Sequence, residues 1–198
     1  MSKVSNEATN KKIKRIFRLK NKKWVILISI WTFFFAIIMT FISNMLLKNV
    51  NLIIAFLILM IIILIGIISD LIGIAVTAAR EKPFHSMAAK KIEGARFAVK
   101  LVRNAGEVSN FCSDVIGDIC GIVSGATGAI LVVKFSKISS IPTSILSIFL
   151  GGFIASITVG GKAIGKEIAL KNSKEIVFYV GKSLYHIHKK LGINFLSK

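Results

Sequence analysis

Asn110-Phe-Cys-Ser-Asp114-Val-Ile-Gly117-Asp118-Ile-Cys-Gly121-Ile-Val-Ser-Gly125-Ala-Thr-Gly128-Ala-Ile-Leu-Val-Val133 is an apolar stretch long enough to span a bilayer, yet it carries two carboxylates. At helical spacing Asp114, Gly117, Asp118, Gly121, Gly125 and Gly128 fall on one face. Glycines about four apart let helix backbones approach closely in lipid, and an acid in such a segment must meet protein, water or a cation. The expectation is that this face is an interior one.

The chain around it keeps the same character. Of its 198 residues 54% are hydrophobic, and residues 52–68 contain no charge at all. Runs of this length read as membrane-spanning helices. The expected fold is therefore all-α: an integral membrane four-helix bundle with amphipathic juxtamembrane helices in the cytoplasm. Its four spans are 24–47, 52–79, 110–133 and 144–163. Residues 1–23 form a basic tail, 24–47 an uncleaved signal anchor beginning at Trp24, 83–107 a juxtamembrane helix, and 166–198 a basic amphipathic segment.

The net charge of +18 reads first as topology. Lys and Arg gather in residues 3–23, 80–103 and 162–198, and four crossings leave all three blocks on one side, as the positive-inside rule requires. Both termini are expected in the cytoplasm and the protein in the cell membrane, multi-pass. No base-reading or stacking module accompanies the charge, which argues against nucleic acid as a partner. Anionic lipid headgroups are the expected partner, at about 1 kcal/mol per cation near the leaflet. Lys90, Arg96, Lys100 and Arg103 form the face that would meet them, opposite a stripe of Ala88, Ile92, Ala95, Val99 and Val102.

Other polar groups fall inside the spans. In the second, Gly66, Asp70, Gly73 and Thr77 share a face, and Asp70 stands about 27 Å along the helix from Leu52. That depth also suits an interfacial carboxylate reaching for water. In the fourth, Gly152, Ser156 and Gly160 make a small-residue packing face, with Gly161 and Lys162 at its inner end. In the last segment Ile176, Val180, Leu184, Ile187 and Leu191 form a stripe expected to lie along the membrane. Cys112 and Cys120 are about 12 Å apart along one helix and are expected as free thiols. His186 and His188 point to different sides of a helix, which argues against a metal pair. No nucleophile-base set, phosphate loop or zinc motif is visible, so no enzyme activity and no organic cofactor are expected.

Two segments carry a family resemblance. They are Ala78-Ala-Arg-Glu-Lys-Pro-Phe-His-Ser-Met-Ala-Ala-Lys-Lys-Ile-Glu-Gly94-Ala-Arg-Phe-Ala98 and Val159-Gly-Gly161-Lys162-Ala-Ile-Gly165-Lys166-Glu-Ile-Ala-Leu170, on either side of the polar-studded span. With the spans between, residues 52–185 resemble the transmembrane domain of the cyclin-M and CorC/CorB magnesium transporters. That resemblance implies three spans, a juxtamembrane helix with a Gly and a small residue, and a closing Gly-Glu-x-x-Pro-Lys element. It also implies a divalent cation bound within the membrane, a homodimer, and regulation by cytoplasmic CBS domains. Gly161 and Lys166 match the closing element, whereas Lys162 stands at its Glu and Gly165 at its Pro. Asp118 follows Gly117 where the family has Asn. No CBS domain follows, so a separate cytoplasmic regulatory subunit is the expectation.

Mg²⁺ wants oxygen ligands in near-octahedral geometry and keeps several waters, so one or two carboxylates with hydroxyl support suffice. The candidate set is Asp118 as principal ligand, Asp114 and Asp70 in support, and Ser113, Thr77 and Ser124 as hydroxyls. Lys162 complicates it, because an ammonium across the site would pair with an Asp and stand in for the metal. Two readings follow. One is a minimal divalent-cation transporter or transporter subunit carrying Mg²⁺; the other is a scaffold or partner-binding membrane protein that moves no ion. Asp70, Asp114 and Asp118 lining one cavity with Lys162 turned away would favour the first, and an ion pair from Lys162 to Asp118 the second.

Overall fold

A computed structural model of the chain describes residues 26–27, 29–45, 47 and 50–191. The basic tail 1–23, Trp24 at the start of the anchor, and residues 192–198 lie outside them. The described residues are all-α. A 17-residue apolar helix, α1 (Ser29–Met45), precedes three helices long and apolar enough to cross a membrane. These are α2 (Leu52–Ala78), the continuous helical stretch Ala105–Ser136, and α7 (Thr143–Lys171). The middle stretch comprises α5 (Ala105–Ser109), a π-helical segment (Asn110–Gly117) and α6 (Asp118–Ser136). The expected four-helix bundle is thus present as three full-length candidate spans and one shorter helix.

The bundle's core is aliphatic, as uncharged runs of Leu and Ile dictate. Leu47, Ala55, Leu59, Ile63 and Leu131 are buried together, flanked by Ile154 and Ile157 of α7. A neighbouring cluster of Val115, Ile119 and Val123 takes in Phe35 and Ala36 of α1. Ser43 and Thr127 meet at 3.0 Å in a buried hydroxyl pair joining α1 to α6. One of the two hydroxyls donates and the other accepts, so neither buried oxygen is without a partner.

At the basic end the chain builds a second layer, a cap of three helices: α3 (Lys82–Ala89), α4 (Ala95–Arg103) and α8 (Ser173–Leu191). Its core unites Phe84, Ala98, Val99, Leu101 and Val177 with Ala75 and Val76 of α2 and Ala169 of α7. Two expectations are corrected here. The juxtamembrane helix predicted over 83–107 is broken, because Lys91 and Gly94 adopt positive φ of 56° and 83° and turn the chain between α3 and α4. The segment from residue 166 is not one separate amphipathic helix over its described residues, 166–191. Its first residues continue α7 to Lys171, and α8 folds back on α4 with Val177 and Gly181 buried, while Ile187 of the predicted stripe is exposed.

That fold-back depends on two glycines. A Cβ on Gly181 would stand 2.8 Å from the Ala98 nitrogen and 2.9 Å from the Gly94 oxygen; one on Gly94 would stand 2.5 Å from the Lys182 Cα. Backbone meets backbone there, and neither helix can retreat a side chain to make room.

The cap's surface is fastened by Glu81. It accepts from the Arg103 guanidinium and lies 2.7 Å from His85 Nε2, joining α3 to the end of α4. The bond from Arg103, then that from His85, holds its carboxyl below the usual carboxylate range. A depressed folded value stabilises the fold above the unfolded value and ceases to do so as pH falls through the folded one. Acid titration of the thermal midpoint is therefore expected to show a drop in that window that is smaller in Glu81→Gln; equal slopes would remove Glu81 from the account.

Candidate functional site

By helical rise Asp70, Asp118 and Lys162 stand at similar heights along their helices, near the junction of α2, the π segment and α7. Asp70 lies about 27 Å from Leu52, Asp118 about 27 Å from Ser136, and Lys162 about 29 Å from Thr143 by helical rise. Glycine makes the convergence close. A Cβ on Gly66 would stand 2.9 Å from the Cys120 Cβ, one on Gly73 would meet the Ser113 Oγ and stand 3.2 Å from the Ser109 oxygen, and one on Gly161 would strike the Ile67 side chain.

The π segment explains a hydrogen bond between helices. A wider turn leaves carbonyls off the usual ladder, and such turns recur at functional sites. Ser69 of α2, buried, donates its hydroxyl to the Cys112 carbonyl at 2.7 Å. Lys162 reaches into the same junction. The Cβ position of Gly117 has the Cys112 oxygen at 3.5 Å, Lys162 Nζ at 3.8 Å and the Gly66 oxygen at 4.0 Å. The half-buried Lys162 ammonium thus lies next to Gly117, on the side of that glycine where the Cys112 and Gly66 carbonyls also stand.

The carboxylates stand elsewhere. Asp114 and Asp118 are exposed and Asp70 is half-buried. None of them pairs with Lys162 within 4.0 Å, and no group of three or more His, Cys, Asp or Glu comes together for a metal among the described residues. The hydroxyls of the expected set are not gathered with the carboxylates either, and two of them donate to carbonyls of their own helices. Ser124, buried, donates to the Gly121 carbonyl at 2.9 Å; Thr77, exposed, donates to the Ile74 carbonyl at 2.8 Å; Ser113 is half-buried against Gly73.

The single interior face predicted for the third span is therefore corrected. Gly117 and Gly128 face inward, but Asp114, Asp118, Gly121 and Gly125 are exposed, and a Cβ on Gly121 or Gly125 would meet nothing within 4 Å. The buried positions Ile119, Val123, Ser124, Thr127 and Leu131 show the reason. They lie on the adjacent stripe, where branched side chains fill the groove against α1 and α2 more fully than glycines can. The packing role of Gly152 and Gly160 is corrected likewise: both are open, and α7 uses Gly161 and Gly165 against Ile67 and Leu71 instead. Among the membrane-surface residues, Lys90, Arg96 and Arg103 are exposed and Lys100 is half-buried.

Sequence reasoning missed the crossing of Gly94 with Gly181, and Ser69. Gly181 within an otherwise periodic helix was the available signal. No family model, curated protein or solved structure matches the chain.

Proposed function

We propose that this is a multi-pass membrane protein whose spans hold a resident lysine at their convergence and whose basic cap works at anionic lipid, as a scaffold or partner-binding protein. The observation that carries this reading is the placement of Lys162 beside Gly117 while Asp114 and Asp118 face outward. An ammonium beside that junction repels an incoming divalent cation. The carboxylates that would have to attract one are not gathered around it.

The cap supports the other half of the proposal. Lys82, Arg96 and Arg103 on α3 and α4, Lys90 and Lys91 in the turn between them, and Lys174, Lys182, Lys189 and Lys190 on α8 crowd one end of three apolar helices. Cations so placed next to a bilayer draw acidic headgroups. On the cyclin-M and CorC resemblance the same end would be cytoplasmic, and a second copy or a regulatory subunit would dock there or along the open faces of α6 and α7.

Reconstitution tests it. Liposomes containing the protein and an internal Mg²⁺ indicator are expected to take up no more Mg²⁺ than protein-free ones. Vesicle flotation is expected to show binding of the detergent-solubilised protein to phosphatidylglycerol vesicles that fades with salt. Mg²⁺ uptake that Asp118→Ala abolishes would overturn the proposal in favour of transport.

A further inference from the structure

On the cap, between the turn that joins α3 to α4 and the last turns of α8, lies a cavity of about 380 Å³ lined by Lys91, Glu93, Arg96, Phe97, Tyr185 and His188. The crevices elsewhere, between α1, α2 and α6 and between α2, α6 and α7, are lined almost wholly by apolar side chains on the lipid-facing surface. This one is polar. Two permanent cations, Lys91 and Arg96, stand at its mouth, both exposed. Its wall is aromatic: Phe97 lies 6.3 Å from Tyr185 and 5.6 Å from His188, ring centre to ring centre. The Tyr185 hydroxyl donates to Glu93 at 3.4 Å, which keeps the single acid to one side.

The backbone carries a second, independent sign. Lys91 is the one non-glycine residue with positive φ among the described residues. It closes α3 in a Schellman-type turn, with the Ile92 N–H bonding to the Met87 carbonyl at 3.1 Å and the Lys91 N–H to the Ala88 carbonyl at 3.0 Å. Glycine suits that position, and a side chain there is strained. A lysine held in a glycine's conformation, with its stem at the rim of a cavity, is what a ligand contact would require.

We propose that this cavity binds a phosphate ester bearing free hydroxyls, such as a glycerophosphate group. Lys91 and Arg96 take the phosphate, Arg96 through its planar fork; Glu93 accepts from a hydroxyl; Phe97 and Tyr185 flank the carbon skeleton. The site does not depend on whether the chain carries ions. Only its lipid form rests on the cap lying at a membrane surface.

The test is thermal unfolding of the full chain in a neutral detergent without phosphate buffer. Glycerol 3-phosphate and short-chain phosphatidylglycerol are titrated separately, with phosphatidylcholine as reference. A ligand that binds only the folded state raises the midpoint by an amount that grows with the logarithm of its concentration over Kd. The double variant K91A/R96A is expected to weaken binding about tenfold or more, the loss of charge-assisted bonds. The control K166A/K171A, which removes the same charge from exposed sites on the last turns of α7, is expected to change it less than about twofold, as solvated charges contribute little.

Lys91→Gly separates the site from folding. It is expected to raise the ligand-free midpoint by relieving the turn and to weaken binding in the same protein. Pocket-dependent shifts with glycerol 3-phosphate establish a soluble ligand, and shifts with phosphatidylglycerol alone establish a lipid headgroup. No shift with either, or equal losses in the pocket variant and its control, overturns the proposal.

Discussion

Phe84→Ala is expected to destabilise the cap by about 3–5 kcal/mol, the usual range for removing a buried aromatic ring. Phe84 is completely buried and is the bulkiest of the fully enclosed side chains. It packs where α3, α4, α8 and the ends of α2 and α7 converge, so no neighbour can collapse into its place without moving a helix. The cap is rich in lysine and arginine, and trypsin reads its opening directly. Cleavage in residues 80–103 should accelerate strongly in the variant while the span fragments stay intact. Unchanged resistance would mean that the ring is not the keystone of this layer.

Gly181→Val should have an effect of similar size by the opposite route. The variant adds atoms where a Cβ alone would already lie 2.8 Å from the Ala98 nitrogen and 2.9 Å from the Gly94 oxygen. Replacing a helical glycine gains up to about 1 kcal/mol of propensity, but overpacking of this kind costs about 1–3 kcal/mol or more, and here backbone must yield. The net expectation is a loss of about 2 kcal/mol and detachment of α8 from α4. Gly152→Ala is the matched control, since a Cβ there meets nothing within 4 Å. It should leave the midpoint unchanged or raise it. A drop at Gly152 would instead reveal a helix from another molecule on that face.

The starts of two long helices were legible because polar residues precede the apolar runs: α2 begins at Leu52 and α7 at Thr143, beside the expected 52 and 144. The extents were not, since the middle stretch runs over Ala105–Ser136 against 110–133 and α7 continues to Lys171 past the expected 163. Nor was the orientation of the third span. Two adjacent stripes of Ala105–Ser136 both carry small and apolar residues at helical spacing, and periodicity cannot say which one a neighbour fills. The π segment adds a further offset that no local propensity announces. The break between α3 and α4 was hidden for a similar reason: Lys91 holds a left-handed conformation normally flagged by glycine or asparagine.

The candidate site divided in the same way. The level shared by Asp70, Asp118 and Lys162 follows from helical rise and could be read from residue numbers alone. The inward turn of Lys162 depended on space beside Gly117, which only packing reveals.

Ala75 and Val76 belong at once to a membrane-length helix and to the core of the cap. α2 therefore cannot slide lengthwise like a piston without prising that core apart. In the membrane protein proposed above, a thinner or thicker bilayer would make the helix lean instead, a response whose cost is small per ångström of mismatch. Each degree of lean swings the cap, and its phosphate-sized cavity with it, toward or away from the surface beneath.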